Sequence, residues 1–136
     1  MSILEEIKEE TKKDHGYVVE LRRYFHSHPE LSRQEFNTAN KIEEELDKLG
    51  ISHTGTFKSE EDKNKILIKD VNSVKIAFLS YTYGTNGISI PKGKEYCINL
   101  IDKDLIKKQL ESAKAQNPDV ICVSMHWGIE YKLQPN

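Results

Sequence analysis

Residues 1–50 carry apolar positions at helical spacing. Ile3, Leu4 and Ile7 recur every three or four residues, a charged run follows, and Gly16 predicts a break. Val18, Leu21, Tyr24 and Phe25 then mark one apolar face of a second helix. Pro29 predicts its end, because proline pushes the preceding residue out of the helical region. Ser32-Arg33-Gln34-Glu35 has the form of a capping box, in which the hydroxyl accepts from the Glu35 N–H while the carboxylate reaches back. The helix it opens is expected to bury Thr38, Ala39, Ile42, Leu46 and Leu49 and to stop at Gly50.

The pattern changes after Gly50. Residues 52–64 are polar and read as a loop. Ile66-Leu67-Ile68 and Lys75 to Thr82 are β-rich runs joined through Asp70-Val71-Asn72-Ser73, which reads as a hairpin turn. Tyr83 to Gly93, with three glycines, Asn86 and Pro91, reads as a long loop. Asp102 is placed to cap a helix carrying Leu105, Ile106, Leu110 and Ala113, stopped by Asn117-Pro118. Val120-Ile121-Cys122-Val123 is a continuous apolar run, expected to be a strand buried on both faces. Strand, helix and strand in that order predict a right-handed βαβ unit, with ligands gathering at the carboxyl ends of its strands. The last such end is Ser124-Met125-His126-Trp127-Gly128. The predicted class is therefore α/β or α+β, with helices first and a small mixed sheet after.

Composition narrows the function. The 136 residues hold 37% hydrophobic side chains, enough for one modest core, with 31% charged and a mean hydropathy of −0.64. No window approaches the ~18 apolar residues of a membrane span. The start, Met1-Ser2-Ile3-Leu4-Glu5-Glu6, lacks the basic, apolar form of a signal peptide, so a cytoplasmic location is expected. Residues 1–50 carry 8 Lys and Arg against 12 Asp and Glu, and residues 51–136 carry 12 against 10. Neither part has the basic density of a nucleic-acid binder. Cys97 and Cys122, far apart and in apolar context, read as reduced thiols packed like small hydrophobes. No phosphate loop, GxSxG motif or Cys/His nucleophile pair is present.

Two stretches carry family resemblances. Leu21-Arg22-Arg23-Tyr24-Phe25-His26-Ser27-His28-Pro29-Glu30-Leu31, with Gln34-Glu35, Thr38 and Glu45-Leu46-Asp47-Lys48-Leu49-Gly50-Ile51, resembles the N-terminal helices of zinc amidohydrolases that cleave N-acyl amino acids. The resemblance covers about residues 3–51, and that family's metal-binding Asp, Glu and His set lies beyond it. His26, His28 and Glu30 are close in sequence, but Pro29 interrupts the helical i, i+4 spacing of an HExxH-type site, so the segment reads as structural.

Residues 51–136 resemble the poly-gamma-glutamate capsule proteins of the CapA/PgsA type, which are metallophosphatase-like. The stretches are Ile51-Ser52-His53-Thr54-Gly55-Thr56, then residues 68–87, then Asp119-Val120-Ile121-Cys122-Val123-Ser124-Met125-His126-Trp127-Gly128-Ile129-Glu130-Tyr131 and Pro135-Asn136. Ser73 departs from the glycine usual in that family's hairpin turn. The resemblance implies that His126 is a ligand for a divalent metal (Mn, Fe or Zn), with Trp127, Gly128 and Glu130 as motif neighbours. The alternative for His126 is an ordinary strand-end histidine. Trp127 reads as core or cleft wall, Glu130 as a solvated carboxylate, and His53 as exposed. The family's other ligand motifs fall outside the matching stretch, and one ligand does not hold a catalytic metal.

The two resemblances meet at Leu49-Gly50-Ile51. That meeting predicts an in-frame joining of an amidohydrolase-like fragment, 1–50, to a CapA-like fragment, 51–136. The alternative is one small domain whose parts pack together. The functional expectation is a truncated capsule-biosynthesis fragment without independent activity. An amidohydrolase fragment and a non-enzymatic interaction module are the other readings. Open sheet edges predict marginal stability and self-association.

Overall fold

The structure is a computed structural model that describes residues 2–32 and 34–128. The chain divides into two compact units, Met1–Leu49 and Gly50–Asn136.

The first unit is two helices. Helix α1 runs unbroken over Ile3–Ser27, and the expected break at Gly16 does not occur. The reason lies in energetics: an interior glycine weakens a helix by ~1 kcal/mol, less than the loss of turns on both sides. Ser2 and Glu5 form the capping box the sequence analysis missed, with Ser2 N–H donating to Glu5 Oε2 at 2.7 Å. The helix ends at His28, before Pro29, as expected. Helix α2 spans Phe36–Lys48, and the predicted Ser32–Glu35 box is not what caps it. Its start lies too late for Ser32. Glu30 caps it instead, its carboxylate accepting the backbone N–H groups of Asn37 (3.0 Å) and Thr38 (2.7 Å). A carboxylate on two N–H donors at the positive end of the helix makes the stronger, charge-assisted cap.

The expected apolar stripe of α2 is also corrected: Ala39, Ile42 and Leu49 are exposed, and Glu45 is the buried residue of the helix. Helix α1 is engaged by the polar side of α2. Tyr17 Oη donates to Glu45 Oε2 at 2.6 Å, while Lys41 and Lys48 hold Glu45 Oε1 at 2.6 and 2.8 Å. Lys41 Nζ also lies 5.2 Å from the centre of the Tyr24 ring, a cation–π contact with α1.

The second unit is α+β. A four-residue helix α3, Glu60–Lys63, interrupts the stretch expected to be loop, capped by Ser59 accepting from the Asp62 N–H. Strands β1, Leu67–Val71, and β2, Val74–Thr82, form an antiparallel hairpin. Its turn is Asn72-Ser73, with φ of 51° and 67°, both in the left-handed region that a two-residue hairpin turn demands. Helix α4, Lys103–Lys114, starts on Asp102, whose carboxylate accepts the Leu105 N–H at 2.8 Å, as read from the sequence. Strand β3, Val120–His126, then pairs parallel to β2, so the sheet order is β1-β2-β3. Lys75 N–H donates to Asp119 Oδ2 (2.7 Å) and Asp119 N–H to Lys75 O (2.8 Å), pinning the register where the parallel pair begins.

Ala77, Leu79 and Tyr81 on one face of β2, with Ala113 of α4, are the buried apolar core. Gln109 of α4 is buried with them. Its Oε1 accepts from Tyr81 Oη (2.8 Å) and Asn99 Nδ2 (3.3 Å), and its Nε2 donates to Lys63 O (3.1 Å). The strand expected to be buried on both faces is not. Val120, Cys122, Val123, Ser124 and His126 are exposed, because β3 is the last strand of the sheet among the described residues. Cys122 is accordingly an exposed free thiol rather than a packed hydrophobe, and Cys97 is half-buried.

Candidate functional site

The carboxyl ends of the parallel strands β2 and β3 converge on Thr82 and His126, which are direct register partners. Three backbone bonds fix that end. Tyr83 N–H donates to His126 O (2.8 Å), Thr82 N–H to Asn99 O (2.9 Å), and Ile101 N–H to Thr82 O (2.9 Å). The 97–101 segment thus runs beside Thr82 and holds it against the neighbouring strand.

Thr82 Oγ1 lies 3.0 Å from both Gly84 O and His126 Nδ1. A hydroxyl has one proton to give. With that proton on Gly84 O, His126 carries its own proton on Nδ1 and donates it to Thr82. The Nε2 lone pair is then free, the tautomer a metal ligand or base requires. The Tyr83 ring lies 5.1 Å from the imidazole, tilted by 60°, and its hydroxyl donates to Asn86 Oδ1 at 2.9 Å. His126 is exposed, so solvent or a ligand reaches it.

Four residues here carry the motif of the sequence: His126, Trp127, Gly128 and Glu130. His126 stands where expected, at the strand end. Trp127 beside it is 50% exposed, so of the two expectations, core or cleft wall, the core one is corrected. Gly128 takes φ +113°, a conformation open to glycine. Glu130 lies outside the described residues. His53 is exposed, as expected. Among the described residues, no three His, Cys, Asp or Glu side chains lie close enough to share a metal. The hydrogen-bond partner of its Nδ1 is the Thr82 hydroxyl, a weak metal donor.

Behind this end lies a polar layer that no sequence motif announces. Asn99, buried between β2 and α4, donates through Nδ2 to Ser80 O (3.2 Å) and to Gln109 Oε1 (3.3 Å). Both neighbours are acceptors, which fixes the amide's orientation and leaves Oδ1 without a partner among the described residues. Gly55, at φ +106°, lies against Ser80, where a Cβ would come within 3.0 Å of Ser80 Oγ. A glycine between two threonines, Thr54-Gly55-Thr56, was the available signal for such an approach.

In the first unit, the His-x-His-Pro-Glu segment has structural employment. His28 stacks on Tyr24 with ring centres 4.4 Å apart, and its Nδ1 lies 2.9 Å from Tyr24 O. The Glu30 carboxylate is held below the usual carboxylate range by the Asn37 and Thr38 N–H groups it accepts. Among the described residues, no helix is long and apolar enough to cross a membrane.

Comparison with known proteins gives two kinds of match. The family model described as bacterial capsule synthesis protein PGA_cap matches residues 35–136, taking in α2, the whole sheet and the Thr82–His126 end. Capsule biosynthesis protein CapA of Bacillus anthracis is 27% identical over 89 residues, 63% of this chain and 22% of that protein. Thermostable carboxypeptidases 1 and 2 of Saccharolobus solfataricus are 35% and 37% identical over 51 residues, 38% of this chain and 13% of each enzyme. The chain therefore spans between about an eighth and a quarter of the length of these relatives. No solved structure matches.

Proposed function

This chain belongs to the bacterial capsule synthesis family PGA_cap, and from that membership we propose that it is a capsule-biosynthesis segment of poly-gamma-glutamate type that has no hydrolase activity by itself. The observation that carries the reading is the isolation of His126. It sits at the carboxyl end of a parallel strand, yet among the described residues it belongs to no group of three His, Cys, Asp or Glu side chains that could hold a metal. A two-metal phosphoesterase clamp needs several such donors around each ion, and one imidazole beside a threonine hydroxyl does not fit it. In this reading His126 is a remnant ligand of metallophosphatase-like ancestry, and Trp127, Gly128 and Glu130 are its motif neighbours.

Trp127, the single tryptophan, lies next to the candidate ligand and reports on it directly. Its fluorescence through a urea titration is expected to give the same midpoint with and without millimolar Mn²⁺ or Zn²⁺. Native-state binding at 100 times Kd would add about 2.7 kcal/mol and move the midpoint visibly. Such a shift would mean a complete site and would overturn the reading.

The joining of two ancestries is the finer part of the same proposal. It draws support from a carboxypeptidase likeness limited to 51 residues and from the division of the chain at Leu49 and Gly50. The family match starts at residue 35 and so overlaps residues 35–50 of the expected amidohydrolase-like fragment. Two fragments without a shared core unfold in two transitions. A single cooperative transition overturns the joining and leaves the capsule-family reading standing.

A further inference from the structure

The groups that hold the His126 imidazole come from three consecutive residues at the end of the neighbouring strand, Thr82-Tyr83-Gly84. Thr82 and His126 are register partners in the parallel pair, so their side chains stand next to each other on one face of the sheet. Tyr83 N–H donates to the His126 carbonyl at 2.8 Å, which fixes the backbone of the histidine. The Tyr83 ring stands 5.1 Å from the imidazole and is itself tied through its hydroxyl to Asn86 Oδ1 at 2.9 Å. Gly84 contributes both of its peptide groups to Thr82 Oγ1: its carbonyl oxygen lies 3.0 Å away and its N–H 3.4 Å away. The contact with the carbonyl decides where the hydroxyl proton goes. Thr82 Oγ1 and Gly84 O are both oxygens, and at 3.0 Å they repel unless a proton lies between them. An imidazole nitrogen can either give or take, because the neutral ring carries its proton on one nitrogen or the other. The hydroxyl proton therefore belongs to Gly84 O, and the ring adapts. Of the two lone pairs left on Oγ1, one faces the Gly84 N–H and the other faces Nδ1 at 3.0 Å.

We propose that Thr82 is the positioning residue of His126: its hydroxyl, committed to Gly84 O, accepts the Nδ1 proton and keeps the lone pair of the neutral imidazole on Nε2. In water a histidine ring carries its proton mainly on Nε2, and a hydrogen bond made at the other nitrogen is what reverses this. The ring of His126 is exposed, so whatever reaches Nε2 meets an acceptor without the ring first having to exchange its proton. The inference rests on the reading of His126 as a remnant ligand and deepens it, since the holder of the imidazole is complete although the ligand set is not. It concerns the chain with no metal bound.

Long-range proton–nitrogen correlation spectra of the metal-free full chain, recorded in mildly alkaline solution where the imidazole is neutral, read the tautomer directly. The ring pattern that disappears in His126→Gln assigns the signal. His126 is expected to carry its proton on Nδ1. Thr82→Val keeps the shape of the side chain and the backbone bonds to Asn99 and Ile101 but removes the acceptor, and it is expected to move the proton to Nε2. Thr82→Ser keeps the hydroxyl and is expected to show Nδ1–H, as the parent does. A parent ring protonated on Nε2 overturns the proposal, and that result stands even if Thr82→Val fails to fold. A tautomer unchanged in Thr82→Val overturns the role of Thr82, as does a serine variant that behaves like the valine one. The metal titration of Trp127 fails separately. A midpoint shifted by Mn²⁺ or Zn²⁺, with the proton still on Nδ1 in the metal-free chain, would overturn the reading of an incomplete site and leave the role of Thr82 standing.

Discussion

Asn72 and Ser73 sit side by side at φ 51° and 67°, the geometry a tight hairpin needs and most side chains resist. Asparagine tolerates it, since its short polar side chain bonds locally. Serine has less to offer, and the left-handed conformation costs a non-glycine residue roughly 1–2 kcal/mol. Ser73→Gly removes that strain while surrendering some unfolded-state entropy. A net stabilisation of about 0.5–1 kcal/mol is expected, seen as a higher urea midpoint with an unchanged slope. A lower midpoint would mean that the serine holds the turn by a bond of its own. Asn99 presents the opposite case at the same scale. Its buried Oδ1 has no donor among the described residues, a penalty of about 1–3 kcal/mol for an amide carbonyl. The amide is nonetheless anchored, because Ser80 O and Gln109 Oε1 both need the protons of its other end.

Helix α1 shows how a local signal is outvoted along an element. Gly16 is a breaker by propensity, yet it sits inside 25 helical residues, and a Cβ added there meets nothing within 4 Å. Gly16→Ala is therefore expected to raise helix stability by about 0.5–1 kcal/mol, read from the thermal midpoint of the far-UV circular dichroism. A variant no more stable than the parent would mean that residues 3–15 fray in solution, as the glycine alone suggested. The same contrast runs through the rest of the fold. Elements whose signals are local were legible: the Pro29 stop, the hairpin, the Asp102 cap, the helix after it and the existence of β3. Burial was not legible, because it depends on what stands alongside. The apolar run 120–123 reads alike in the middle of a sheet and at its edge, and only the strand order separates the two cases. Likewise the apolar stripe of α2 was plain in the sequence, but α1 engages its polar side through Tyr17 and Glu45. Of the site, the placement of His126 at a strand end followed from the βαβ pattern. Its hydrogen bond to Thr82, 44 residues away, followed from the β2–β3 register, which the pattern left open.

Across the described residues, the carboxylates held below their ordinary range are unevenly shared between the two units. Among the described residues, Glu5, Glu30 and Glu45 belong to the unit Met1–Leu49, and Glu95 to the other. Glu45 is the extreme case, lowered to about 2 by the hydrogen bonds it accepts from Lys41, Lys48 and Tyr17. A carboxyl whose folded pKa lies below its unfolded value of about 4.5 contributes stability that is fully present above 4.5. That stability fades as pH falls toward the folded value. The helical unit is therefore expected to lose stability between pH 4.5 and about 2, while the sheet unit, in which Glu95 is the lowered carboxylate among the described residues, holds through most of that window. Backbone amide signals of α2 and of β2, followed separately down the pH scale, distinguish the two. The α2 signals are expected to collapse first, and Glu45→Gln should weaken the helical unit at neutral pH and flatten its acid dependence, since the group that titrates is gone. A single acid transition common to α2 and β2 would mean that the units share a core, and with that the joining of two separate ancestries would fall. An acid dependence unaltered by Glu45→Gln would instead mean that the Tyr17–Glu45–Lys41 contact does not hold α1 to α2 in solution.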